Sequence, residues 1–314
     1  MLPATIKPME PVLKEKPPGE KKYLHSVKWD GVRQIVFLEQ DGIRIHNRKL
    51  RDRTRIYPEL QVLKEMAYET GVVFDGEVIA LNEKGQPDFA RVMRRDNCRS
   101  QQAIKAVQRE VPVFYMIFDL LYHKGESIMH LPLSQRLEIL DTVLPNPVPP
   151  VQIVEHVSGG IHLFERTREL GLEGVVSKDS TSRYLPGTKN NIWVKSKHYK
   201  DITVVVGGFT VKNGGLNSLS VGAYGDDNRL YYLGNVATGL SQADIDYLDK
   251  ELRNFVCDTS PFTNFRKKSE NQFWVMPGLT LKIKYLEMTS DGHLRHPVIM
   301  GFVSADPTDC RLGQ

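Results

Sequence analysis

A length of 314 residues exceeds one average domain and suits two, and 40% apolar with 25% charged residues is the composition of a globular protein that buries real cores. No apolar run approaches the roughly 18 residues that span a bilayer, and the charged N-terminus lacks the apolar stretch of a signal peptide, so neither a membrane span nor a secretory leader is expected. Cys98, Cys257 and Cys310 lie far apart without metal-ligand spacing, which argues against a disulfide framework or a zinc site and suits a reducing cytoplasm.

The net charge of +4 is unevenly spread. Residues 1–200 hold 31 Lys+Arg against 25 Asp+Glu, whereas residues 201–314 hold 11 against 13. A basic first part suits a polyanionic ligand, with nucleic acid, nucleotides and membrane surfaces all open on charge alone.

In chain order, the Pro- and Lys-rich segment up to Lys22 reads as an extended arm. Strand signals follow at Tyr23–Lys28, Val32–Gln40, Ile43–Asn47, Val72–Leu81 and Val113–Leu121, parted by Gly and Asp-Gly turns. Apolar periodicity predicts helices at Tyr57–Glu69, Asp88–Arg95, Leu133–Val143 and Ile161–Leu170, with Pro145–Pro150 as an extended connector. Near Lys197–Asp201 the texture turns mostly β: Ile202–Gly208, Ser218–Tyr224, Leu230–Val236, Leu281–Met288 and Val298–Val303. One amphipathic helix, Ser241–Phe255, interrupts them, with Ser241 as N-cap and Asp244 at N3. We therefore expect an α+β chain: residues 1–199 as a domain of antiparallel sheets and helices, residues 200–314 as a Greek-key barrel of the OB type. A β-sandwich fragment is the competing reading of the second part.

Lys28-Trp29-Asp30-Gly31-Val32-Arg33 directly follows a predicted strand. A lysine beside an acid and a glycine turn serves as nucleophile, phosphate binder or mere salt-bridge partner, and the string alone does not choose. Four further elements follow in order: Phe74-Asp75-Gly76-Glu77 and Ile117-Phe118-Asp119 closing two strands, Glu173-Gly174-Val175-Val176-Ser177-Lys178 after a helix, and Trp193-Val194-Lys195-Ser196-Lys197 at the end of the first part. In isolation these carboxylates are ordinary surface groups and Phe118 an ordinary core residue. As an ordered set they resemble the covalent nucleotidyltransferase superfamily, and within it the ATP-dependent DNA ligases. Tyr57-Pro58-Glu59-Leu60, Leu131–Arg136, Leu233–Gly239, Ser260-Pro261-Phe262 and Asp291–Pro297 add a resemblance to the ligase module of bacterial LigD over nearly the whole chain. The likeness includes neither the N-terminal DNA-binding domain of larger ligases nor LigD's polymerase and phosphoesterase modules.

The resemblance implies a nick-sealing enzyme that uses ATP and Mg²⁺ or Mn²⁺ and acts in end-joining repair; the competing readings are an RNA ligase or capping-type nucleotidyltransferase, and a non-catalytic DNA-end-binding protein that retains the fold. Lys28 would carry AMP on its amine, its pKa depressed by neighbouring cations and partial desolvation. Lys195 and Lys197 would neutralise the phosphates, and Glu173, with Glu77, would hold the metal. Glu77 would bind the ribose, Phe118 would stack on adenine, and Arg33 and Arg48 would hold sugar or phosphate, with Lys178 and Ser26 also at the nucleotide. Two positions depart from the family: Ser26 stands where an acid reads the adenine amine, and Gly301–Pro307 lacks the C-terminal basic pair, so that either Arg295 or another base compensates, or self-adenylylation is slow, or the chain has drifted from full ligase activity. DNA-facing cations are expected at Arg51 and Arg53, in the basic run Arg44–Arg55, on the stripe Arg91, Arg94, Arg95, and at Arg295. The implied partners are nicked duplex DNA and a Ku-type end-binding protein; the chain is expected to be monomeric, cytoplasmic and nucleoid-associated in a bacterium.

Overall fold

The computed structural model describes residues 2–265, 271–289 and 291–313. The chain divides into two compact units, residues 1–198 and 199–314. The first runs β1 (Glu10–Leu13), β2 (Tyr23–Val27), β3 (Val32–Glu39), β4 (Gly42–Asn47), α1 (Leu63–Met66), β5 (Val72–Ala80), α2 (Phe89–Asp96), α3 (Gln101–Glu110) and β6 (Val113–His123). It continues with β7 (Glu126–Ser127), α4 (Leu133–Val143), β8 (Val151–Ile153), α5 (Gly160–Glu169), β9 (Gly174–Asp179) and β10 (Lys189–Lys197).

These strands form two sheets. One has the order β1-β10-β9-β2; the other has β4-β3-β5-β6-β7, with β8 beside β6. Every pairing is antiparallel except β1 on β10 and β8 on β6. On one face of the larger sheet, Val36, Ile45, Phe74 and Tyr115 pack with Leu63, Val92, Ile104 and Leu140 of the helices. On its other face, Ile35, Phe37, Val73 and Leu121 meet Met9, Tyr184 and Trp193 from the smaller sheet's side. Burial of such side chains contributes roughly 1.5–3 kcal/mol each, so the core between the facing sheets holds them together.

Three expectations are corrected. The N-terminal segment is no free arm: Glu10–Leu13 pairs in parallel with β10, and Met9 is fully buried. The helix expected at Tyr57–Glu69 is a 3₁₀ turn, Pro58–Val62, followed by α1, because Ala67 turns extended. Phe74–Glu77 and Ile117–Asp119 lie within β5 and β6 rather than at their ends. Helix α3 lacked a strong apolar stripe, with Ile104 its one buried residue, but Ser100 caps its N-terminus by accepting from Ala103 N–H at 3.2 Å.

The second unit comprises β11 (Lys200–Lys212), β12 (Gly215–Tyr224), β13 (Leu230–Val236), α6 (Gln242–Leu252), β14 (Val256–Cys257), β15 (Gln272–Val275), β16 (Thr280–Tyr285) and β17 (Val298–Val303). The strands are antiparallel, in the order β13-β12-β11-β15-β14, with β16 joining β11 to β17. Strand β11 is long enough to pair with β16 through its first half and β15 through its second. Helix α6 starts in a capping box, Ser241 with Asp244, and buries Leu248 and Leu252 against the barrel core. This is an OB barrel with its helix between the third and fourth long strands. No helix among the described residues is long and apolar enough to cross a membrane.

Candidate active site

A cavity of about 550 Å³ opens in the first unit, and Lys28 is in its wall. Lys28 leaves the end of β2, its backbone N–H donating to Gly174 O at 2.9 Å, so β2 and β9 fix the start of its side chain. Two glycines permit this close approach. A Cβ on Gly174, at φ +146°, would lie 2.0 Å from Ser196 O, and one on Gly31 would lie 2.2 Å from Val78 O. Glu173 stands at the head of β9 and bridges two lysines: Lys28 Nζ donates to Oε2 at 2.5 Å and Lys197 Nζ lies 2.7 Å from Oε1.

The electrostatics reverse one expectation. Burial pulls the Lys28 ammonium down, but Glu173 and Glu77 outweigh it and leave the pKa raised. Cations and desolvation do act on Lys195, which burial, Lys197 and Lys28 together hold below the usual lysine range. Burial raises Glu173, yet Lys28 and Lys197 prevail and its pKa is lowered. Glu77, hydrogen-bonded to no described side chain, is pushed up to about 8 by burial despite Lys28 and Arg33.

Away from these lysines the cavity is aromatic. Phe118 and Trp193 line it and meet edge to face, with ring centroids 6.4 Å apart. Lys178 Nζ donates to Phe118 O at 2.9 Å and lies about 4 Å from both ring centroids. Burial pushes Lys178 down to about 7, against the pull of Asp119 and Asp75. Ser26, 3% exposed on β2, also lines the wall.

Arg33 reaches the cavity with most of its donors committed. Nε and Nη2 donate to the two oxygens of Asp75 at 2.8 and 2.5 Å, and Nη1 donates to Met9 O at 2.6 Å. Arg33 thus holds the frame through most of its N–H groups while its side chain still lines the cavity. Arg48 is exposed, 3.4 Å from Glu10, and lines the cavity with Arg51 and Arg53; Arg53 also lies 3.1 Å from Asp96. The stripe on α2 does not hold together. Arg95 is fully buried, its Nη2 donating to both Glu59 oxygens and its Nη1 to Ile104 O, so it cannot face DNA. One turn beyond Arg91, it has rotated onto the inward face that buries Val92 and Asp96. Arg91 donates to Glu110 O and Arg94 pairs with the Glu110 carboxylate, both at the end of α3. Arg295 belongs to the second unit, where it pairs with Glu287 at 2.7 Å.

Residues 1–197 match the family model described as ATP dependent DNA ligase domain, and residues 212–304 match ATP dependent DNA ligase C terminal region. The chain belongs to the ATP-dependent DNA ligase family. The multifunctional non-homologous end joining DNA repair protein LigD of Mycobacterium tuberculosis is 33% identical over 275 residues, 85% of this chain and 34% of that protein. A DNA ligase of Natronomonas pharaonis is 29% identical over 237 residues, 74% of this chain and 43% of its own length. The chain thus spans about a third of the length of the LigD relatives it matches. Among solved structures, mycobacterial DNA ligase D complexed with ATP and MES is 28% identical with a TM-score of 0.56, covering 98% of each chain. A Lig E DNA ligase at 18% identity and a TM-score of 0.62 shares the fold.

Relative to this ligase family, reading the sequence missed Glu10 and Met9. Glu10 lines the cavity and Met9 anchors Arg33, yet both lie in what reads as an arm. The only local signal was the short run Pro8–Leu13. Tyr184 was missed too: its hydroxyl donates to Asp75 at 2.7 Å and accepts from Met9 N–H at 3.1 Å. Among the described residues no three histidine, cysteine or acidic side chains converge as a protein-built metal site. The carboxylates of Glu173 and Glu77, the latter raised by burial and without a hydrogen-bonding side chain, nevertheless fit a cation that takes its other ligands from phosphates and water, the habit of Mg²⁺.

Proposed function

We propose that Lys28 is the residue that carries AMP, and that this ligase seals 3′-hydroxyl/5′-phosphate nicks in duplex DNA. The observation that carries the reading is one cavity lined by the Lys28 amine, by Phe118 and Trp193, and by Lys195, Arg48 and Arg51. It offers a stacking surface for a base, cations for phosphates, and an amine. We assign adenylylation to residues 1–199 and engagement of DNA to the OB barrel at 200–314.

Lys28 attacks once it is neutral, and Glu173 stands in the way while its carboxylate holds the ammonium. When that contact breaks, burial is left to pull the Lys28 ammonium down against Glu77 and Asp30 alone. The amine then attacks the α-phosphorus of ATP: the N–P bond forms, the bond to the β-phosphate oxygen breaks, and pyrophosphate leaves. Lys195 and Lys197 neutralise the growing charge on phosphate oxygens. Glu173 and Glu77 are the side chains that would hold Mg²⁺ or Mn²⁺, which supplies further charge neutralisation when bound. Glu77, which also lines the cavity, is suited to accept from a ribose hydroxyl. Ser26 offers a hydroxyl to the base edge. AMP then passes to the 5′-phosphate of the nick, and the 3′-hydroxyl displaces it. The likeness to LigD supports a place in end joining beside a Ku-type partner.

Incubation with α-labelled ATP tests the assignment. The expected result is a labelled protein band that is absent in Lys28→Ala, and closure of a nicked DNA duplex on a denaturing gel. A label that survives Lys28→Ala, or no label with either metal across mildly acid to alkaline pH, overturns it. Labelling by GTP instead points to a capping-type transferase.

A further inference from the structure

Strand β6 carries an extra residue where it faces β5. Asp75 pairs with Asp119 and Gly76 with Ile117, which leaves Phe118 without a partner across the ladder. A bulge of this kind redirects a side chain and leaves its peptide groups outside the regular bonding. Phe118 is that redirected side chain, and its ring enters the cavity. Its carbonyl accepts from Lys178 Nζ at 2.9 Å. The same nitrogen lies 4.1 Å from the Phe118 ring centroid and 4.2 Å from that of Trp193. Tyr184 backs Trp193 edge to face, with centroids 5.6 Å apart. Lys178 is only 2% exposed and forms no ion pair among the described residues. A leucine or methionine would fill that space without the cost of burying an amine. The amine instead serves one peptide carbonyl and two ring faces, each an acceptor of positive charge.

We propose that Lys178 is a positioning residue for the nucleobase: it pins the Phe118 bulge and sets that ring, with Trp193, as a preformed platform for adenine. The proposal rests on the reading above, in which Phe118 stacks on the base of ATP. A platform ordered before binding spares the nucleotide the entropic cost of ordering it. Its loss therefore weakens ATP binding and leaves the chemistry at Lys28 alone.

Self-adenylylation of the full chain, followed with α-labelled ATP, tests the proposal. Lys178→Met is expected to raise KM for ATP about tenfold, the loss of one hydrogen bond to a charged donor, with the rate at saturating ATP unchanged. Lys178→Gln, which keeps a donor for the Phe118 carbonyl, should recover most of that loss. Phe118→Ala should raise KM as well, and the double variant Phe118→Ala/Lys178→Met should be no worse than Phe118→Ala alone. Additive effects, an unchanged KM in Lys178→Met, or a fall in maximal rate at constant KM overturn the proposal. An unchanged KM in Phe118→Ala instead removes the stacking assignment, and the proposal with it. If melting curves show that Lys178→Met does not fold, Trp193→Phe takes its place: its KM effect must vanish in the Phe118→Ala background, and persistence there refutes the platform.

Discussion

Two sets of ions in the first unit obey opposite rules. Asp75 and Asp119 face each other across β5 and β6, and each is answered by one arginine through two hydrogen bonds. Arg33 holds Asp75 at 2.8 and 2.5 Å, and Arg136 holds Asp119 at 2.8 Å twice. Arg136 spends its last nitrogen on the carbonyls of Leu131 and Ser182. At the other set, Glu173 is shared between Lys28 and Lys197, with Lys195 close enough to feel both lysines. The first set is closed: charges match one to one, and a planar fork makes each pair hard to exchange. The second is open, because one carboxylate serves two amines and each of these makes a single replaceable contact with it. Closed pairs hold a frame, whereas an open set has charge left for an incoming phosphate.

The largest effect should come from breaking a closed pair. Arg136→Met leaves Asp119 buried and unpaired, and we expect a loss of about 3–5 kcal/mol in denaturant unfolding. Arg136→Met/Asp119→Leu should recover most of it, and a single-variant cost below about 1 kcal/mol would break the contrast with the lysine set. Acid should act next, through a neighbour of that frame. Burial, with Lys178, pushes His156 down to about 4. An unfolded histidine titrates near 6.5, so protons favour the unfolded chain. Stability from this group is complete above about pH 6.5 and is lost as pH falls toward 4, by roughly 3 kcal/mol. Melting curves of His156→Phe should lack that part of the pH dependence.

A change in the open set should alter reactivity more than stability. Glu173→Gln removes the carboxylate that does most to raise Lys28, so its pKa should fall. Modification of Lys28 by an amine-directed reagent at neutral pH, followed by mass spectrometry, should then speed up. No change would mean that Glu77 alone sets the charge of Lys28. The smallest effect concerns DNA. Arg51→Ala should weaken binding to nicked duplex a few-fold and reduce the salt slope by about 1. Arg94→Ala, which removes a cation already paired with Glu110, should change neither. The reverse outcome would place the DNA surface on α2.

Much of the frame was legible because its signals are local. The apolar periodicity of Leu133–Val143 coincides with α4, and Leu230–Val236 and Val298–Val303 coincide with β13 and β17. Ser241 and Asp244 announced the start of α6 through their own side chains. The strand at Glu10–Leu13 escaped notice because its partner, β10, lies some 180 residues away and parallel pairing leaves no turn between the two. Arg95 misled for a related reason. A helical wheel puts arginines on a face without telling which way that face turns, and Glu59 had to arrive from another element to make burial tolerable.

The candidate site divides along the same line. The order of the motifs, the residue types they supply and the change of texture near residue 200 are properties of the chain itself, and they suffice to name the family. Which charges neutralise one another is decided only by the fold. Lys28 meets Glu173 across 145 residues, and Lys178 meets the Phe118 carbonyl across 60. Proton affinity depends on distance and burial, quantities that spacing along a chain does not contain. For that reason the sequence could single out Lys28 as the candidate nucleophile, and only the tertiary structure could pair it with Glu173 and raise its pKa.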